Sequence, residues 1–151
     1  MQYQKDFAEL CALSNANGIE YLVVGGYAVA FHGAPRFTGE FDIFVRASED
    51  TLKRVFVVVR EFGFRTDGVV PDYLLRHRKI LQLGQPPVQI HLMTSITGVT
   101  WEDAWQSRKM ETYGGVPVPF LGRNALILNK TATGRTKDLA DVEALQRKPP
   151  P

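Results

Sequence analysis

The chain has one cysteine, Cys11, in 151 residues, so an intrachain disulfide is excluded. It falls on the apolar face of the first helical pattern, where a buried thiol is the expected state. No unbroken apolar run approaches the ~18 residues of a membrane span. Residues Met1 to Lys5 lack the basic start and apolar stretch of a signal peptide. Net charge is only +2, too small to argue by itself for nucleic acid or a membrane surface. Internal repeats are absent, and the only biased segment is Lys148-Pro149-Pro150-Pro151. What is left is ordinary for a globular chain, 44% hydrophobic and 23% charged, with enough length for a real core. The expectation is a single domain over residues 1–147 with a flexible Pro-rich tail over 148–151, in the cytoplasm and without a membrane partner.

Helices and strands alternate along the pattern. Gln4 to Asn17 reads as a helix with Phe7, Leu10, Cys11 and Leu13 near one face and Gly18 as its stop. Ile19 to Val24 reads as a buried strand, and Tyr27 to His32 as a short helix. Ser48 is placed to cap a helix running to Phe62, with Glu49 and Asp50 at its positive end. Phe64 to Tyr73 reads as turn and loop. Lys79 to Leu83 and Val88 to Met93 read as strands paired around a Gly84–Pro87 turn. Thr100 caps a helix to Arg108 whose Trp101 and Trp105 share a face, a spacing that favours packing over base stacking. A hairpin follows across Gly114-Gly115, between Lys109–Tyr113 and Val116–Leu121. Two helices, Arg123–Thr131 and Thr136–Arg147, end the chain on either side of Gly134. The fold class is α+β, an α/β mixed sheet flanked by helices.

Chemistry concentrates between Tyr21 and Val45. The apolar run Leu22-Val23-Val24 ends in Gly25-Gly26, where a strand turns into a helix. Glycines there let backbone N–H groups approach a phosphate, although they can also simply turn the chain. The strand Phe41 to Val45 follows, preceded by Glu40. Side chains alternate along a strand, so Glu40 and Asp42 share a face with Phe44, while Phe41, Ile43 and Val45 share the other. Two carboxylates so placed could share a divalent cation, or form a solvated acidic pair. On the later strand Gln89, His91 and Met93 share the face opposite Val88, Ile90 and Leu92. His32 and His77 have no partner pattern and read as structural or surface groups.

The ordered series Gly-Gly, a spacer of about a dozen residues, then acid-apolar-acid-apolar, resembles the signature of the DNA polymerase β-like nucleotidyltransferases. It is most similar to the small bacterial proteins of the minimal and abortive-infection-associated kind. The resemblance continues through Val88-Gln89-Ile90-His91-Leu92-Met93, Trp101-Glu102-Asp103-Ala104-Trp105, Asn129-Lys130 and Arg135-Thr136-Lys137-Asp138, and covers roughly Ile19 to Leu145. It implies a nucleotidyltransferase fold, a central mixed β-sheet flanked by helices. It further implies Mg²⁺ or Mn²⁺ as cofactor and a nucleoside triphosphate as substrate, with a nucleoside monophosphate transferred to a hydroxyl and pyrophosphate leaving. Glu40, Asp42 and His91 stand at the metal-binding and catalytic positions. Gly25, Gly26, Arg36, Thr38, Lys130 and Lys137 fall in the nucleotide-binding segments.

Two positions depart from the family pattern. Glu40 stands where the pattern has Asp, moving the carboxylate outward by roughly 1.5 Å. His91 stands at the third acid, bringing an imidazole that can act as a base and suits transition metals better than Mg²⁺. Three functions stay open from sequence: an active enzyme, a catalytically degenerate binding or interaction module, or one component of a toxin–antitoxin-type pair. The acceptor could be a protein, an RNA or a small molecule, and a partner protein or homodimer could help to hold it.

Overall fold

The computed structural model describes residues 4–66, 68, 71–77 and 80–147. The expected tail over 148–151, the expected strand start at Lys79 and the side chain of His77 lie outside the described set. In chain order the elements are α1 (Lys5–Ala16), β1 (Tyr21–Val24), α2 (Gly25–Phe31), β2 (Glu40–Val45), α3 (Glu49–Glu61), α4 (Pro71–His77) and β3 (Leu81–Gln85). They continue as β4 (Val88–Met93), α5 (Trp101–Ser107), β5 (Lys109–Tyr113), β6 (Val116–Phe120), α6 (Arg123–Thr133) and α7 (Thr136–Arg147).

The six strands form one mixed sheet in the order β3-β4-β2-β1-β6-β5. Strand β2 runs antiparallel to β1 and parallel to β4, so both central neighbours of β2 bring side chains to the same two faces. One face carries Tyr21, Ile43, Val45, Leu83, Ile90 and Leu92, and meets Leu10 of α1 with Val55, Val58 and Val59 of α3. Phe41 stacks on Phe7 with ring centres 4.4 Å apart and receives the edge of Tyr27 at 5.2 Å. Each such fully buried aromatic contributes about 2 kcal/mol from its area alone. Across the sheet Phe44 meets the edge of Trp101 at 5.0 Å, and Trp101 stacks on Trp105 at 5.4 Å. The Trp pair is therefore packing, with Arg108 lying over the Trp105 ring at 4.1 Å.

The caps follow their residue types. Ser48 Oγ accepts from the Thr51 N–H at 3.2 Å, and Thr100 Oγ1 accepts from the Asp103 N–H at 3.2 Å. Two local expectations are corrected. Residues 71–77, partly expected as loop, form α4: Pro71 occupies its first turn, and Asp72 pairs with Arg76 at 2.8 Å one turn on. The β3–β4 turn is also tighter than the Gly84–Pro87 reading. Gln85 pairs with Val88, leaving Pro86-Pro87 as the turn. Among the described residues, no helix is long and apolar enough to cross a membrane. Cys11 is fully buried, and burial pushes its thiol up to about 12, so it stays protonated.

Candidate active site

Register brings the site together. Val24, the last residue of β1, pairs with Asp42 on β2, and Asp42 pairs with His91 on β4. Alternation then places Glu40, Asp42 and His91 on the sheet face away from α1 and α3. His91 Nδ1 lies 3.4 Å from Asp42 Oδ1 and 3.5 Å from Glu40 Oε2. One potential ligand atom from each residue falls within 4.8 Å of the other two. The three expected positions do converge.

Gly25 makes that approach possible. Its φ is +67°, and a Cβ at this position would collide with the Asp42 carboxylate, lying 2.9 Å from Cγ. A Cβ on Gly26 would lie 2.9 Å from both Cβ and Oγ1 of Thr38. Thr38 in turn exchanges hydrogen bonds with Glu40: the hydroxyl accepts from the Glu40 N–H at 3.4 Å and donates to its carbonyl at 3.3 Å. The glycine pair thus holds the acid strand close, in addition to lining the cleft.

The trio is electrostatically incomplete. Burial pushes the Asp42 carboxyl above its usual range; the Glu40 charge adds to the rise, while His91, Lys130 and Lys137 oppose it. Asp42 Oδ1 and His91 Nε2 are buried without a hydrogen-bond partner. Orphaned buried polar atoms are uncommon and costly; a ligand beside Nδ1 would serve Asp42 Oδ1, whereas Nε2 faces the other way. The donor set passes a fit test for a divalent cation. Adjacent ligands at metal distances of ~2.1 Å lie ~3 Å apart, close to the spacing of His91 Nδ1 from the two carboxylates.

These residues open into a cleft of about 650 Å³, also lined by Gly25, Gly26, Arg36, Thr38, Ser95, Thr97, Asn129, Lys130, Thr133, Arg135 and Lys137. Every residue expected at the metal or nucleotide positions therefore lines one cavity. The cations are not equivalent. Lys130 is buried, 3.2 Å from Asp138 and 3.1 Å from Asp141. Arg36 grips Asp141 with two bonds, at 2.8 and 3.0 Å. Thr133 and Arg135 both donate to Asp138, at 2.8 and 2.6 Å. Lys137 forms no such pair among the described residues and leaves its charge to the cleft.

The anchoring of Lys130 and Arg36 by Asp138 and Asp141 is not among the expectations drawn from the sequence. Their three-residue spacing on α7, which puts both carboxylates on one face, was the available signal. Ser95, Thr97, Asn129 and Thr133 were also missed as cleft residues; short polar side chains carry no distinctive pattern. His32 fulfils its structural expectation. It is buried, its Nε2 lies 2.7 Å from the Leu121 carbonyl, and burial lowers its pKa and keeps it neutral.

The architecture matches solved structures. Lincosamide antibiotic adenylyltransferase LnuA, in a lincomycin-bound crystal structure, aligns over 97% of this chain and 98% of its own with a TM-score of 0.64 and 12% identity. The chain has the nucleotidyltransferase fold. ANT(2")-Ia in complex with adenylyl-2"-tobramycin aligns over 93% of this chain and 86% of its own, with a TM-score of 0.61 and 12% identity. An antigenic nucleotidyltransferase-like protein from Paracoccidioides brasiliensis aligns over 91% and 72%, with a TM-score of 0.57 and 16% identity. No protein-family model matches the chain, and no curated protein matches it at a significant level. The nucleotidyltransferase fold is thus carried here by a sequence that has diverged far from these structures.

Proposed function

We propose that the protein is a metal-dependent nucleotidyltransferase that moves a nucleoside monophosphate from a nucleoside triphosphate onto a hydroxyl. The observation that carries this reading is the convergence of Glu40, Asp42 and His91 on one cleft face, with the buried Asp42 Oδ1 lacking a hydrogen-bond partner. Glu40, Asp42 and His91 hold a divalent cation. Two carboxylates with an imidazole favour Mn²⁺ over Mg²⁺, because nitrogen ligands suit transition metals better than hard alkaline-earth ions. The cation, when bound, neutralises triphosphate charge and makes the α-phosphorus more electrophilic.

This chain's own residues do the rest. Lys137 and the exposed Arg135 attract the triphosphate. Gly25 and Gly26 line the cleft where the triphosphate would lie, and keep the Asp42 strand close to it. Lys130 and Arg36, held by α7, form the cationic wall of the cleft without being free to follow the leaving group. The acceptor oxygen bonds to the α-phosphorus as the bond to the pyrophosphate oxygen breaks. Glu40, whose side chain is 47% exposed at the cleft, receives the acceptor proton through its outer carboxylate oxygen.

The acceptor class this reading favours is a small hydroxylated molecule. Support comes from the near-complete overlap with LnuA, a lincosamide adenylyltransferase, and from the adenylyl-2"-tobramycin held by ANT(2")-Ia. A degenerate binding module is the second reading, favoured by the commitment of Lys130 and Arg36 to Asp138 and Asp141. Calorimetry with ATP and GTP, each in Mg²⁺ and in Mn²⁺, decides between them. Heat with at least one pair, strongest in Mn²⁺, is expected; silence in every combination removes the enzyme reading.

A further inference from the structure

Strand β5 lies at one end of the sheet and, among the described residues, pairs only with β6. Tyr113 and Val116 close the two-residue Gly114-Gly115 turn, whose φ values of +58° and +82° suit a tight hairpin. Hydrogen-bonded pairs alternate from that point, so Tyr113, Glu111 and Lys109 direct their backbone groups to β6. Met110 and Thr112 direct theirs outward. The prolines agree with this phase: Pro117 and Pro119, which have no N–H to give, sit opposite Thr112 and Met110. Among the described residues no strand pairs with the outer edge, where Met110 is 57% exposed.

We propose that this edge pairs antiparallel with β5 of a second copy of the chain, about a two-fold axis at Met110, continuing the sheet across two molecules. Charge selects the partner and the register. With Met110 opposite Met110 of the second copy, Lys109 faces the copy's Glu111 and Glu111 faces its Lys109. Two opposite-charge pairs and one apolar pair result. The adjacent symmetric registers would set Glu111 against Glu111 or Lys109 against Lys109, and like charges directly opposite are destabilising. An edge guarded against association would carry one sign of charge; this one is complementary to itself. In the free chain Glu111 Oε1 accepts from the outward Thr112 N–H at 3.0 Å, occupying a donor that the second copy's Arg108 carbonyl takes over on pairing.

A five-residue edge buries less than the ~1,200 Å² of a standard stable interface, so the association is reversible and concentration-dependent. Sedimentation velocity of the full chain from micromolar to near-millimolar concentration is expected to show a monomer–dimer shift. Lys109→Glu and Glu111→Lys should each weaken it by about tenfold, ~1.4 kcal/mol, while the double charge swap restores it. Met110→Pro, which removes an outward N–H without touching the β6 ladder, should abolish the dimer with the fold retained by circular dichroism. Met110→Cys supplies an exposed thiol on the axis, Cys11 being buried, and should oxidise to a covalent dimer. A chain that stays monomeric throughout, with no cross-linking of Met110→Cys, overturns the proposal. Dimerisation that the double swap fails to restore overturns this register.

Discussion

Two acid clusters, one lining the cleft and one buried behind its cationic wall, behave oppositely. Asp138 and Asp141 are fully served: Lys130, Arg36, Arg135 and Thr133 surround them at 2.6–3.2 Å. Among the described residues, Glu40 and Asp42 have His91 as their one ion-pair neighbour, at 3.5 and 3.4 Å, and Asp42 Oδ1 has no hydrogen bond. The first cluster fastens α7 to α6 and to the segment before β2. The second has unmet demand for positive charge. A carboxylate group completed by its own protein is a structural part; one left short is where a ligand is needed.

The largest expected effect tests the completed cluster. Asp138→Asn leaves the buried Lys130 and the Arg135 contact short of one charge and should cost about 3 kcal/mol, measured by thermal or urea unfolding. Asp42→Asn removes an incompletely compensated carboxylate and should cost little or even stabilise, while ending divalent-ion binding. Equal losses for the two variants would break the distinction between the clusters.

Next in size is Gly25→Ala, which combines the strained positive φ with a collision against Asp42. A loss of about 2 kcal/mol is expected, together with weaker Mn²⁺ binding; unchanged stability would mean the glycine is not what seats Asp42. Replacing Glu40 and His91 together by Asp restores a third negative charge and should tighten divalent-ion binding by about tenfold, ~1.4 kcal/mol, in calorimetry. If the double variant binds Mn²⁺ no better than the parent, the trio is not the ion site. Smallest in stability is Lys137→Ala, expected within about 0.5 kcal/mol of the parent because its charge is not used structurally. Its nucleotide affinity should nevertheless fall.

Acid titration sharpens the same contrast. Burial pushes the Asp138 carboxyl up, but hydrogen bonds from Thr133, Arg135 and Lys130, with the Lys130 charge, bring it down to about 2 from 3.8. A depressed carboxyl adds stability that is present in full above the unfolded value and is lost as pH falls through the folded one. The parent should therefore lose stability between about pH 4 and pH 2, and Asp138→Asn should lack that component.

Much of the site was legible because strand periodicity is local. Alternation alone placed Glu40 and Asp42 on one face, and separately placed His91 opposite Ile90 and Leu92. That the two strands pair in parallel with Asp42 against His91 required a chain reversal of some fifty residues, through α3, α4 and β3, which no local pattern encodes. Helix α4 was missed although Pro71 and the Asp72–Arg76 spacing announce it, because Phe64 to Tyr73 lacks a sustained apolar period. Lys130 was placed at the cleft from its segment, but its burial against Asp138 and Asp141 depends on the reversal at Gly134, which brings α7 back over it.

The sequence by itself determined the acid, histidine and glycine positions of the cleft, the faces of β2 and β4, the caps at Ser48 and Thr100, and the hairpin turn at Gly114-Gly115. These follow from backbone geometry repeated every two or few residues. Tertiary structure alone decided which charges neutralise one another. Coulomb energy and desolvation depend on distances between residues far apart in the chain. Hence Arg36 and Lys130 became fastenings, Lys137 stayed open to the cleft, and Asp42 Oδ1 was left without a hydrogen-bond partner.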